Sequence, residues 1–162
     1  MSKPQPIPAG MEGLIPHLVC DPCSEAIAFY KKAFGAEEIA RMPAPGGSKI
    51  MHAEIRIGKS MVFLVDDFPE FCEGKSESPK TLTGTPVTIH RYVDNCDAAI
   101  KRAQDAGAKV VMPAADMFWG DRYGVVVDPF GHKWSLATHV KDQTPEQTKA
   151  AMNEAFAQMP AR

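Results

Sequence analysis

Two histidines and a glutamate stand where they could move a proton or hold a cation. His17 lies in Leu14-Ile15-Pro16-His17-Leu18-Val19, and His90 lies in Thr88-Ile89-His90-Arg91-Tyr92. Residues two apart on a strand share a face, so Ile15, His17 and Val19 point together, as do Thr88, His90 and Tyr92. On a third apolar-alternating segment His52, Glu54 and Arg56 share one face, opposite Ile55 and Ile57. Neutral imidazoles with a carboxylate suit a borderline divalent metal, which makes His17, Glu54 and His90 the candidate ligands and Glu54 the candidate base. The same residues also read as hydrogen-bonded strand histidines and as a glutamate paired with Arg56 or Arg41. No cofactor beyond that divalent ion is suggested.

A second cluster is Met117-Phe118-Trp119-Gly120-Asp121-Arg122-Tyr123-Gly124, with His132 and Trp134 following. Read as a turn, it offers flat apolar surface to a ligand while Asp121 and Arg122 fix polarity. It equally fits a loop pinned to a core. The expected ligand pocket thus takes in His17, His52, His90, Trp119, Asp121, Arg122, Tyr123, Trp134 and Ser135. Cys20-Asp21-Pro22-Cys23 is a lone close pair, and with Cys72 and Cys96 the cysteines read as reduced thiols. No Gly-rich phosphate loop, no His-Glu-x-x-His and no nucleophile elbow is present.

The elements that must position these residues occur twice. In the first half a strand at 14–19 precedes Asp21-Pro22, which resembles an N-cap with proline in the first turn. A helix from Cys23 to Phe34 carries Ala26, Phe29, Tyr30 and Ala33 at helical spacing, and Gly35 is placed to stop it. Strands are expected at 37–42, 51–57 and 60–65, the last two as a hairpin around Gly58-Lys59. In the second half a strand at 85–93, a helix capped by Asp94 and stopped at Gly107, and strands at 109–112, 123–128 and 133–138 follow. A shift of 73 positions lays His17 on His90, Asp21 on Asp94, Cys23 on Cys96 and Ala33 on Ala106. That repeat predicts two βαβββ modules, 13–66 and 85–140, joined by a linker at 67–84. Residues 1–12 read as a flexible tail. Residues 141–162 read as an accessory helix, with Thr144 as cap and Ala151, Ala155, Phe156 and Met159 as an apolar stripe.

The chain carries 18 Lys and Arg against 20 Asp and Glu, a formal charge of −2. It lacks the basic patch that nucleic-acid backbones require, so no nucleic-acid partner is expected. No export-type leader and no apolar run of roughly 20 residues is present, so no membrane partner is expected and the cytoplasm is the expected location.

The phrases Ile27-Ala28-Phe29-Tyr30-Lys31-Lys32-Ala33-Phe34-Gly35-Ala36 and Asp128-Pro129-Phe130-Gly131-His132-Lys133-Trp134 resemble the glyoxalase/bleomycin-resistance/extradiol-dioxygenase superfamily, the vicinal oxygen chelate (VOC) proteins. Met51-His52-Ala53-Glu54, Phe118 to Gly124 and Trp134 to His139 look like its PhnB-like branch. The resemblance covers about residues 13–140. It implies an α+β fold of paired βαβββ modules whose curved mixed sheets surround a pocket, commonly in a homodimer. Metal-dependent members take one ligand from the first strand and one from the later strands of each module. Laid on this chain without gaps, their first-strand ligands fall on Ile15 and Thr88, two residues short of His17 and His90, and the final glutamate falls on Ser135. The expected function is therefore small-molecule binding, with two versions. One is metal-dependent lyase or isomerase chemistry on a compound with vicinal oxygens. The other is non-catalytic ligand sequestration of the antibiotic-resistance type.

Overall fold

The computed structural model describes residues 4–158. Its elements run β1 (His17–Cys20), α1 (Cys23–Phe34), β2 (Glu37–Pro43), β3 (Ile50–Ile57), β4 (Ser60–Asp66), a 3-10 turn (Pro69–Phe71), α2 (Pro79–Leu82), β5 (Thr88–Tyr92), α3 (Cys96–Asp105), β6 (Lys109–Asp116), β7 (Asp121–Val127), β8 (Lys133–His139) and α4 (Pro145–Ala157). This is an α+β architecture with two four-stranded mixed sheets, ordered β1-β4-β3-β2 and β5-β8-β7-β6. Each sheet joins its first strand in parallel to its last and pairs the rest antiparallel. No described helix is long and apolar enough to cross a membrane.

The chain divides into two compact units. The first comprises the chain up to Thr85 together with Pro129–His132, and the second comprises Pro86–Asp128 with the chain from Lys133 onward. In the first unit α1 lies on one face of the sheet and contacts all four strands. Its buried side, Ala26, Ile27, Phe29, Tyr30, Ala33 and Phe34, meets Leu18, Ala53, Ile55, Val62 and Leu64, all buried. The 129–132 segment adds to this core: Phe130 packs on Phe29 and Tyr30 with ring centroids 6.2 and 6.5 Å away. His132 Nε2 sits 2.9 Å from the Val19 carbonyl oxygen. In the second unit α3 packs on β6, β7 and β8. Ile100 and Ala103 of that helix are buried, as are Val126, Trp134 and Leu136 beneath it.

Several boundaries differ from the expectation. β1 starts at His17 rather than Leu14, because Pro16 has no N–H to give to the ladder; its carbonyl still accepts a 2.9 Å bond from Phe63 N–H. Asp21 does not cap α1. That role falls to Asp66 at the end of β4, whose carboxylate accepts from Cys23 N–H at 2.7 Å and from Ile50 N–H at 2.6 Å. α3 is capped by Asn95, which accepts from Ala98 N–H, rather than by Asp94. The 67–84 segment carries the 3-10 turn and α2, and Asp67 ties it together by accepting from Ser76 and from the Glu77 and Ser78 N–H groups. Gly35 ends α1 in the left-handed conformation, and α4 opens with a capping box between Thr144 and Gln147. Met159 lies outside the described residues.

Gly124 shows how tightly α3 sits on its sheet. A Cβ there would lie 2.3 Å from Ile100 Cδ1, 2.9 Å from the Met112 carbonyl oxygen and 3.0 Å from the Ala114 nitrogen. The isoleucine tip can move, but the two backbone atoms cannot without disturbing β6. Gly124→Ala is therefore expected to lower unfolding free energy by about 1–3 kcal/mol, the scale of core overpacking. Urea denaturation checks it, and an unchanged midpoint contradicts it.

Candidate functional site

The face of each sheet that does not carry its helix collects the polar and aromatic side chains. In the first unit the register pairs His17 with Phe63 and Glu54 with Phe63, so all three stand on the face opposite Leu18, Ile55 and Leu64. His52, two residues before Glu54, joins them. Its ring is 4.8 Å from Phe63 and 6.1 Å from His17, both edge-on, and His17 is 6.0 Å from Phe63. His52 Nε2 lies 3.4 Å from Glu54 Oε1, and the carboxylate accepts from it. Covering of the His17 ring, then the proximity of His52, lowers the His17 pKa. His17 is thus neutral near pH 7, with a ring nitrogen able to accept a proton or a hydrogen bond.

In the second unit β5, β8 and β7 bring His90, Ser135 and Val125 into register. His90 Nδ1 is 2.8 Å from Ser135 Oγ. Tyr123 stacks on the His90 ring at 6.1 Å and Tyr92 meets it edge-on at 4.8 Å. Asp121 sits at the end of this face, 5 % exposed. It accepts from Tyr92 Oη at 2.9 Å, Trp119 Nε1 at 3.1 Å and His139 Nδ1 at 2.8 Å. Burial alone would raise the Asp121 carboxyl pKa, but the bonds from His139, Tyr92 and Trp119 together bring it below its ordinary value. Trp119 completes the edge, 5.6 Å from Tyr123. A phenol, an indole and an imidazole surrounding one carboxylate form a rigid rim able to accept and donate hydrogen bonds.

Two residues expected in the pocket do not belong with these. The run from Asp121 is a strand and not a turn, so Arg122 points to the opposite face from Asp121 and Tyr123. There its guanidinium is held by Asp97 of α3 and by Asp116 of β6, 2.7 and 3.0 Å away. Trp134 likewise alternates away from Ser135; it is 1 % exposed in the core under α3 and donates to Asp128 at 2.9 Å. Phe63, His139 and Asp66 were not singled out from the sequence. Phe63 lies on a strand apolar on both faces, His139 only closes the phrase that begins at Trp134, and Asp66 falls in no motif. The spacing of Phe63 two positions from Met61 and Val65, with His17 on the parallel neighbour, is the one signal that could have drawn attention to it.

The cysteines have no described reactive role. None of the four is in a disulfide, and Cys20, Cys23 and Cys96 are buried. Burial, then the nearby Asp66 carboxylate, pushes the Cys23 thiol up to about 12, which removes the thiolate that redox or metal chemistry needs.

The donors do not fit a resident metal. Among the described residues no three His, Cys, Asp or Glu side chains are gathered to hold one. At the position where the family resemblance expects a carboxylate ligand, Ser135 supplies a neutral hydroxyl already bonded to His90.

His139 links the rim to the lead-in of α4. Its Nε2 is 2.9 Å from Asp142 while its Nδ1 faces Asp121, so only the imidazolium can donate to both. Asp142, then Asp121, raises the His139 pKa above its ordinary value of 6.5. A raised folded-state pKa means that the tie is fully present below pH about 6.5 and is lost as pH rises through the folded value. Amide exchange in α4 is expected to quicken across that window, and Asp142→Asn to bring the His139 midpoint down. A His139 midpoint at or below the ordinary value, read by NMR, contradicts this.

Comparison with known proteins agrees with the two-sheet architecture. Residues 15–136 match the family model described as Glyoxalase/Bleomycin resistance protein/Dioxygenase superfamily. An uncharacterized protein of Mycobacterium bovis is 52% identical over 140 residues, covering 86% of this chain and 91% of its own. The X-ray structure of a gene product from Arabidopsis thaliana superposes with a TM-score of 0.62 at 28% identity, over 77% of this chain and 97% of that one. The crystal structure of TioX from Micromonospora sp. ML1 gives 0.59 at 27% identity, over 79% and 100%. With a repeated strand-helix-strand order, two mixed sheets and a family match across most of its length, this chain belongs to the glyoxalase/bleomycin resistance protein/dioxygenase superfamily.

Proposed function

We propose that this chain is a small-molecule-binding member of its superfamily that holds an oxygen-bearing organic ligand through imidazole and aromatic contacts, without a resident metal. The observation that carries it is the 2.8 Å contact between His90 Nδ1 and Ser135 Oγ. It makes Ser135 an orienting partner that leaves His90 Nε2 for a ligand, where a carboxylate would serve a cation. Tyr92, Tyr123 and Trp119 supply the flat surface around that imidazole; on the first unit's sheet His17, His52 and Glu54 form a polar group of their own. The phrases at 51–54, 118–124 and 134–139 support placement in the PhnB-like branch, and a cytoplasmic homodimer is part of the same proposal.

Metal-stripped protein titrated calorimetrically with a panel of small oxygenated acids, ketones and aromatics tests it. At least one compound is expected to bind more tightly than millimolar, with Ser135→Ala weakening it. The contrary result is binding or turnover only after a stoichiometric divalent ion is restored. That outcome would replace this reading with metal-assisted lyase or isomerase chemistry, in which His17, Glu54 and His90 are the ligands.

A further inference from the structure

The open face of the first sheet continues past its histidines. Two residues beyond Glu54 on β3 comes Arg56, in register with Met61 of β4. At this end Ala9, Gly10 and Met11 lie beside the β3–β4 hairpin and enclose a cavity of about 430 Å³, walled by Met11, Ile39 and Met61 and edged by Arg56 and Lys59. Its size falls within the usual range of small-molecule sites. Its walls are apolar and its charged rim is mainly cationic.

Arg56 Nη2 donates to Glu37 Oε2 at 2.6 Å. That pair is open to solvent, with side chains 47% and 63% exposed, and one carboxylate oxygen leaves most of the five guanidinium N–H donors free for another acceptor. Lys59, exposed in the hairpin turn, has no carboxylate partner among the described residues. Arg56 and Lys59 are balanced by Glu37 at the edge and by Glu54 two residues along β3, which leaves the surroundings of the cavity close to neutral. That balance fits a monoanion with an apolar body better than a dianion.

The geometry points to this cavity as the anchor for the carboxylate of a small organic acid whose other end, bearing a hydroxyl, reaches Glu54 and His52. The inference rests on the ligand-binding reading above and names its substrate class. Two residues along a strand advance roughly 7 Å, so the acid carries its second oxygen about that far from its carboxylate. With its Nε2–H given to Glu54, 3.4 Å away, His52 presents Nδ1 as an acceptor and Glu54 adds its second carboxylate oxygen, so the pair accepts from a hydroxyl.

The probes are 5-hydroxyhexanoate, its methyl ester and hexanoate, titrated into the full chain by calorimetry and by NMR of the histidine rings. Arg56→Gln and Lys59→Gln are the variants; Lys59 lies in an exposed turn, so its substitution leaves the fold intact. 5-Hydroxyhexanoate is expected to bind and to shift the His52 and His17 signals. The ester, and the acid with either variant, are expected to bind about tenfold more weakly, the scale of one charge-assisted hydrogen bond. Hexanoate is expected to bind without the His52 shift. Equal binding of acid and ester, or no loss in both variants, overturns the anchor and leaves the ligand-binding reading standing. No binding of the acid also overturns the anchor, and the panel described above then decides the reading beneath it.

Discussion

Replacing Asp66 with alanine is expected to destabilise the first unit by about 3 kcal/mol or more, since two buried backbone N–H groups lose their acceptor at once and each unsatisfied donor costs about 1–3 kcal/mol. The carboxylate is 5 % exposed and holds Cys23 N–H at the entrance of α1 and Ile50 N–H at the start of β3. It therefore ties the helix to both strands that carry the site on their other face. Chemical denaturation measures the loss, and amide exchange at Cys23 and Ile50 shows whether it arises at these two donors. A variant with unchanged stability would mean that water replaces the carboxylate, and the helix entrance would need another explanation.

The double substitution His17→Ala/His52→Ala is expected to weaken binding of a ligand that uses the first sheet by about a hundredfold, two hydrogen-bonding groups at about 1–1.5 kcal/mol each. The fold should persist, because both rings lie on the open face and the core beneath is formed by Ala53, Ile55 and Leu64. His52→Ala alone carries a distinct signature. Uncovering the His17 ring and removing the neighbouring positive charge should move the His17 pKa up toward its ordinary value, the reverse of the two effects that lower it. NMR titration reads this directly, and a His17 pKa that stays put contradicts the assigned cause.

The repeat was legible because each half must build the same packing unit. The match of His17 with His90, of Cys23 with Cys96 and of Ala33 with Ala106 reflects the same strand, helix entrance and buried helix face twice over. Which face each side chain takes was less legible, because a shift of one residue in a strand turns its whole side-chain set to the other face. Arg122 illustrates this. Its sequence neighbours suggested a turn, yet the strand begins at Asp121, and one step of alternation turns Arg122 toward Asp97 of the helix. Trp134 moved to the core for the same reason, while Ser135, one residue on, reached His90. Both helix caps also departed from the expectation. Asp66, distant in sequence, displaced Asp21, and Asn95 displaced its neighbour Asp94 because only one residue at that entrance can take the extended conformation facing Ala98 N–H.

The most direct measurement is a histidine-ring NMR titration of metal-stripped protein with the compound that binds best in calorimetry. The His90 signals are expected to shift with ligand, the shift to diminish in Ser135→Ala, and added zinc or manganese not to enhance it. Ligand binding that leaves His17, His52 and His90 all undisturbed, or that appears only when a divalent ion is bound, would contradict it.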